Sequence, residues 1–415
     1  MRFCLFTVAV SLVWCGVSCS PYQNKTAVLW TDRPEFAFYA EYFNSSQNQY
    51  KVETRYYESP AQRLVDTGEA PDIVAGSWLK SASTRVFFKS LNGFFTNETL
   101  SKNAFYPRLL ALGNIEGKQY LLPVAFNIPA LIFARNQGQG LSNPFTIGFD
   151  EMKTLGKAYN QEQNGTYVRM GFSPAWDDEF LFITATLFNT GFREASPVAW
   201  DAAALERNMA FVYDWIREVN TSVQAEEEFT FKYFYDPPAK LVLSGRILFT
   251  YMNSASLFTL AEERRTNLDF RWIAEKNTIP VIEGTVYYGI SKKGKAKKAS
   301  AAFTRWFFQA ETQRQLLQKS RDNRMTETSF GIGGGFSAMR SVTEQIFPQF
   351  YPGLLGHMPP EDFLSPANIL PRNWTALKER VILPYLHERI HRANREEVLP
   401  LERRMADWYR LNREM

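Results

Sequence analysis

The chain has 415 residues, of which 45% are hydrophobic and 22% charged, and a formal net charge of +4 at pH 7. So small a positive excess gives no electrostatic footprint for nucleic acid, while the apolar content suffices for real cores. All three cysteines, Cys4, Cys15 and Cys19, fall within the first nineteen residues, which excludes an internal disulfide, cysteine catalysis and cysteine-ligated zinc from the remainder.

Residues 1–19 read as an export signal: Arg2, then an apolar stretch over 3–17, then small residues before Cys19. The stretch is shorter than the ~20 residues of a spanning helix and no later segment approaches it, so no transmembrane helix is expected. Gly16-Val17-Ser18-Cys19 resembles a bacterial lipoprotein cleavage site, with Cys19 as the acylated first residue, although Gly16 stands where Leu is usual. The alternative is ordinary signal cleavage with Val17 and Cys19 as the small-residue pair. About 395 residues remain after the signal, more than the ~250–300 that one core supports, and two lobes are expected.

From residue 27 the pattern alternates. Residues 27–30 read as a buried strand, 34–44 as a helix, 50–57 as a strand, 60–67 as a helix and 72–75 as a third strand. That succession predicts a parallel sheet covered on both faces, with ligands bound beyond the carboxyl ends of its strands. The loops Trp30-Thr31-Asp32-Arg33 and Gly76-Ser77-Trp78 are therefore candidate site loops. Residues 113–123 predict a hairpin, followed by an extended run through Phe126-Asn127-Ile128-Pro129 into a strand at 130–133.

This crossover, Gly117-Lys118-Gln119-Tyr120-Leu121-Leu122-Pro123 followed by an apolar strand, resembles that of sugar-type extracellular solute-binding lipoproteins of ABC importers. Four further phrases agree in order: Ala70-Pro71-Asp72-Ile73-Val74, Leu243 through Phe249, Gly289-Ile290-Ser291-Lys292, and an amphipathic helix over 301–318. Glu283-Gly284-Thr285 departs from the family, which carries a Gly-Gly pair there. The resemblance implies an α/β, two-lobed periplasmic-binding-protein-like fold with mainly parallel sheets. It places the first lobe at 20–126 and 280–325, the second at 130–275 and 336–415, and hinge segments at 127–129, 276–279 and 326–335. It also implies a monomer without a cofactor that is held by a lipid anchor on the extracytoplasmic face of the cell envelope and delivers a small polar solute, a carbohydrate, to ABC permease subunits. Gly331-Ile332-Gly333-Gly334-Gly335 lacks the Lys-Ser/Thr of a phosphate loop and reads as a crossover or turn. Lys292, Lys293, Lys295, Lys297 and Lys298 have no interleaved aromatics and read as a solvated loop.

A sugar pocket needs flat aromatic faces for C–H groups, and carboxylates or amides for pairs of hydroxyls. The candidates are Trp30, Asp32 and Trp78 from the first lobe, Asn127 at the crossover, and Trp176, Asp177, Asp178, Tyr251, Asn253 and Trp272 from the second. Ser77 and Glu179 adjoin them. Each aromatic has a competing role in the core. Asp177, Asp178 and Glu179 also suit a helix N-terminus.

One motif belongs to another class. His387-Glu388-Arg389-Ile390-His391 has the HExxH spacing of zinc peptidases, in which two histidines one turn apart bind zinc and the glutamate acts as base; Glu396, Glu397 or Glu402 would supply a third ligand. Arg389 and Arg392 sit where such helices carry uncharged residues, so the motif is expected to be a solvated surface helix. The expectation is a binding protein with no catalytic residues and no metal; an exported zinc metallopeptidase is the alternative.

Overall fold

The computed structural model describes residues 25–96, 100–391 and 397–412. The export signal and Cys19 lie outside them, as do Arg392 and Glu396. Its opening elements are β1 (Thr26–Thr31), α1 (Glu35–Ser46), β2 (Lys51–Tyr56), α2 (Pro60–Thr67) and β3 (Ile73–Gly76). The signals for α2 are local: Ser59 Oγ accepts from the Gln62 amide at 3.2 Å, Pro60 opens the first turn, and Gly68 stops it at φ 64°. β1 pairs in parallel with both β2 and β3. Its side chains alternate between two buried clusters, Ala27 and Leu29 on one face and Trp30 on the other, as a strand covered on both sides requires.

After α3 (Ala82–Arg85), β4 (Leu122–Phe126) runs through Asn127 and Ile128 into β5 (Pro129–Ala134), one extended passage from the first sheet to a second. The second lobe adds β6 (Thr146–Ile147), α4 (Asp178–Leu187), α5 (Ala202–Asn220), α6 (Val223–Tyr233), β7 (Phe249–Asn253) and β8 (Leu268–Ile273). The chain returns through β9 (Ile279–Pro280) to β10 (Val286–Ile290), α7 (Lys297–Phe307), α8 (Ala310–Asp322) and β11 (Phe336–Ser337). It ends with β12 (Leu364–Ser365), α9 (Leu383–His391) and α10 (Leu401–Leu411).

The architecture is two-lobed α/β, with a six-stranded sheet in the order β11-β4-β10-β3-β1-β2 and a four-stranded sheet in the order β7-β5-β8-β6. Neither sheet is mainly parallel. β10 runs antiparallel to β3 and β4, β11 runs antiparallel to β4, and β5 is antiparallel to both neighbours. The cause is the repeated crossing between lobes. β1 to β4 point towards the junction, whereas β10 and β11 enter the first sheet from it and must run the other way. In the second sheet β5 leaves the junction, and β7 and β8 return to it.

Two further expectations are corrected. Residues 336–337 form an edge strand of the first sheet, so the tail does not belong to the second lobe from 336 onward. It divides: Phe347, Tyr351 and Leu354 join the cluster around Phe336, while Trp374, Leu377, Leu386 and Trp408 pack with Phe182 of α4 and Val212 of α5. The helix expected over 301–318 is two helices, α7 and α8, broken at Phe308 and Gln309. The segment 331–335, expected as a crossover or turn, is a tight turn, with the Gly331 and Gly333 amides bonded to the hydroxyls of Tyr351 and Tyr39. A Cβ on Gly331, at φ 65°, would lie 2.2 Å from the Gly335 carbonyl oxygen. Lys292, Lys293, Lys295, Lys297 and Lys298 are all exposed.

Candidate functional site

The carboxyl ends of β1 and β3 meet through side chains. Asp32 accepts from the Ser77 amide at 2.9 Å and pairs with Arg33 Nε at 3.3 Å; Arg33 Nη2 in turn donates to Ser77 Oγ at 2.9 Å. Ser77 Oγ donates to the Gly284 carbonyl at 3.0 Å, which ties this corner to the returning crossover. Trp78 follows at φ 62°, a left-handed conformation costly for a bulky residue and held here by its neighbours. Its carbonyl accepts from Thr84 Oγ1 at 3.2 Å, and its half-buried ring packs between first-lobe and second-lobe clusters. Asn127 spans the crossover, donating to the Gly334 carbonyl at 2.9 Å and accepting from Ser254 Oγ at 2.6 Å.

The second-lobe side is built on the head of α4. Asp177 is its N-cap, accepting from the amides of Glu179 and Phe180 at 2.9 and 3.0 Å. Glu179 points at the junction end of β7, where Tyr251 Oη and Asn253 Nδ2 both donate to its Oε2, at 2.6 and 3.1 Å. Burial pushes both carboxyls above their usual range; for Glu179 the bonds from Tyr251 and Asn253 pull the other way, and for Asp177 the two backbone amides do. Glu283, on the segment between β9 and β10, pairs with Lys378 from the C-terminal helices, and both side chains are only 13% exposed. Lys378 also lies 4.2 Å over the Phe182 ring. Its charge steadies both Asp177 and Glu179, while Glu283 opposes ionisation of Glu179.

The junction thus brings together Asp32, Trp78, Asn127, Asp177, Tyr251 and Asn253, together with Ser77 and Glu179. Two expected contacts lie elsewhere. Trp30 is 2% exposed, edge-on to Tyr57 at 5.0 Å and under Arg63, because its position on β1 points it at α2. Trp272 is fully buried in β8 and donates through Nε1 to the His357 carbonyl at 2.7 Å. Both are core residues. Trp176 is half-buried with one face already stacked on Phe229, at 5.9 Å and 14°, and its buried Nε1 has no hydrogen-bond partner among the described residues. Asp178 is exposed, 2.6 Å from His387 Nε2. Glu283 and Lys378 were not anticipated, although Glu283 begins the phrase that departs from the family; Lys378 stands 95 residues further on and carries no local signal.

The HExxH residues are engaged separately. Glu388 pairs with Arg404, His387 faces Asp178, and His391 bonds the His387 carbonyl through Nδ1 and approaches Glu227 at 3.2 Å through Nε2. The glutamate that would serve as base is thus held by an arginine, and the two imidazoles turn to different partners. Among the described residues no group of three or more His, Cys, Asp or Glu side chains is arranged to hold a metal ion, and no helix is long and apolar enough to cross a membrane.

Comparison with known proteins agrees with the two-lobed geometry. A cyclo/maltodextrin-binding protein complexed with maltotetraose superposes with a TM-score of 0.63 at 15% identity, covering 94% of this chain and 98% of that one. The maltose/maltodextrin-binding domain of Bdellovibrio bacteriovorus, bound to maltotriose, gives 0.58 at 13% identity over 94% and 100%. The cyclic α-maltosyl-1,6-maltose binding protein of Arthrobacter globiformis gives 0.60 at 14% over 92% and 96%. No curated protein sequence matches the chain. The sequence profile of bacterial extracellular solute-binding proteins matches residues 39–322, more than half of the chain, and the protein belongs to that family.

Proposed function

We propose that the protein captures a carbohydrate between its lobes and, as a lipid-anchored monomer, presents it to the permease of an ABC importer. The observation that carries the carbohydrate reading is the Glu179 carboxylate, desolvated at the head of α4, oriented by Tyr251 and Asn253, and connected through the Glu283–Gly284 segment to the Asp32–Ser77 corner. Carboxylates accept pairs of hydroxyls, amides both donate and accept, and the half-buried rings of Trp78 and Trp176 offer apolar area for the C–H face of a sugar. The oligosaccharides bound by the three structural neighbours support the same class. Such a solute closes the lobes because it touches both, and only differential affinity for the closed state shifts the population.

In this reading Asp32, Trp78 and Asn127 contact the solute from the first lobe and crossover, and Trp176, Asp177, Asp178, Glu179 and Asn253 from the second. Calorimetry with maltotriose, mannotriose and a wider panel of oligosaccharides and polyols tests it. Saturable one-to-one binding of at least one member is expected, and binding of none across the panel overturns the carbohydrate assignment. The anchor has its own test. Cys19→Ser should convert a detergent-extracted protein into a soluble exported one, since stable anchoring needs the several chains of lipoprotein processing; unchanged membrane partition would reject it.

A further inference from the structure

The rim of the junction, away from the Asp32–Glu179 strip, is bridged by protein alone. Glu194 lies in the second lobe between α4 and α5, in a loop fixed by reciprocal backbone bonds between Arg193 and Ala199 at 2.9 and 3.1 Å. The Glu194 amide also donates to the Ile369 carbonyl at 2.7 Å, so this loop and the segment carrying Arg372 form one unit. Across the gap, both Glu194 carboxylate oxygens engage the first lobe. Oε1 accepts from Ser81 Oγ at 2.9 Å and from the Ala82 amide at 3.1 Å, and Oε2 accepts from the same amide at 2.8 Å. Arg372 reaches the first lobe as well, donating to Gln62 Oε1 at 2.8 Å and Ser83 Oγ at 3.4 Å.

The receiving side is equally rigid. Ser81 is 1% exposed, its amide bonds the Trp78 carbonyl at 3.3 Å, and its own carbonyl accepts from Thr84 Oγ1 at 3.0 Å. The same short loop therefore carries Trp78 into the junction and Ser81 to the rim. Both sides of the contact border an open recess of about 720 Å³, separate from the polar strip.

We infer that Glu194 and Arg372 are positioning residues for solute capture: they hold the lobes closed from the rim without touching the solute. A carboxylate accepting from a hydroxyl and an amide makes charge-assisted bonds, stronger than neutral ones. Being intramolecular and made by protein groups alone, these contacts favour the closed form independently of the solute. The solute's overall affinity is then set partly by residues outside the site, and release to a partner requires the latch to open. The inference rests on the reading of the two lobes as a solute clamp.

The test needs no solute, so its failure leaves the carbohydrate assignment untouched. In a Cys19→Ser background, spin labels at Thr67→Cys in the first lobe and Ala203→Cys in the second report the interlobe distance. The ligand-free protein is expected to show a populated short distance. Glu194→Ala removes the acceptor of both the Ser81 hydroxyl and the Ala82 amide and should lower the closed-to-open ratio by at least about tenfold, at 1.4 kcal/mol per tenfold. Glu194→Gln, which keeps one acceptor, should fall between the two. Arg372→Met should shift the distribution in the same direction and serves if the Glu194 variants fold poorly. A long distance only in the unsubstituted protein, or distributions that superpose across folded variants, overturns the inference.

Discussion

The two halves of the junction solve the same problem differently. On the first-lobe side, Asp32, Arg33 and Ser77 pair with one another and with the Gly284 carbonyl of the returning crossover, so opposite charges are matched within one corner. On the second-lobe side, Asp177 and Glu179 are carboxyls raised by burial at a helix head, with compensation arriving from Tyr251, Asn253 and the distant Lys378. Sensitivity to pH and to substitution should therefore concentrate in the second lobe.

The hardest test of that contrast is Lys378. Lys378→Met leaves the Glu283 carboxylate, only 13% exposed, without its cation, and urea denaturation should show a loss of about 3 kcal/mol, the low end of the range for breaking a buried pair from one side. Loss of less than 1 kcal/mol would mean the pair is solvated and the contrast overstated. Trp272→Ala belongs in the same range, through lost burial and a cavity, if the residue is core as its position in β8 requires.

Next comes Glu226, buried behind the turn that carries Trp176 and bonded by Ser173 Oγ at 2.7 Å and Asn220 Nδ2 at 2.6 Å. Burial lifts its pKa from 4.5 to about 7, with Glu227 pushing the same way and the bonds from Ser173 and Asn220 opposing. The folded protein then holds this proton more tightly than the unfolded chain. Its contribution is full below pH 4.5 and is lost as pH rises through 7, a swing of roughly 3 kcal/mol at 1.36 per unit. Stability measured from pH 4.5 to 8 should fall in the unsubstituted protein and fall less in Glu226→Gln; parallel slopes would remove Glu226 as the cause.

Affinity sharpens the comparison further. Glu179→Gln should weaken binding of any oligosaccharide found by calorimetry by about tenfold to a hundredfold, the worth of a bond to a charged group. Because the pKa of Glu179 is raised, binding should also weaken on acidification at a higher pH than an ordinary glutamate allows, and the variant should lose that dependence. An unchanged pH profile in Glu179→Gln would place the titrating group elsewhere. The smallest effect is expected at Glu388. Glu388→Gln releases a partly exposed pair with Arg404, should cost at most about 1 kcal/mol, and should leave solute affinity alone; peptide cleavage that disappears in this variant would revive the peptidase.

Membership in an extracellular solute-binding family places the chain outside the cytoplasm, and the order of elements behind that conclusion was readable from residues alone. The strand and helix succession through residue 76, the start of α2 at Pro60, the helix head at Asp177 and the passage through Asn127 all rest on interactions spanning a few positions. Periodicity and capping chemistry report those directly. The parallel run of β1, β2 and β3 was readable, but the direction of the strands that re-enter each sheet was not, because it depends on how often the chain crosses between lobes. Nor was the fate of the tryptophans: Trp30 and Trp78 both sit at strand ends, yet one faces α2 and the other turns into the junction at a positive φ. Glu283 with Lys378, and Ser81 with Glu194, meet across about a hundred residues of chain. Such pairs exist only once the lobes have docked, since the burial that makes a charge need its partner is a property of the packed molecule and not of the segment that carries it.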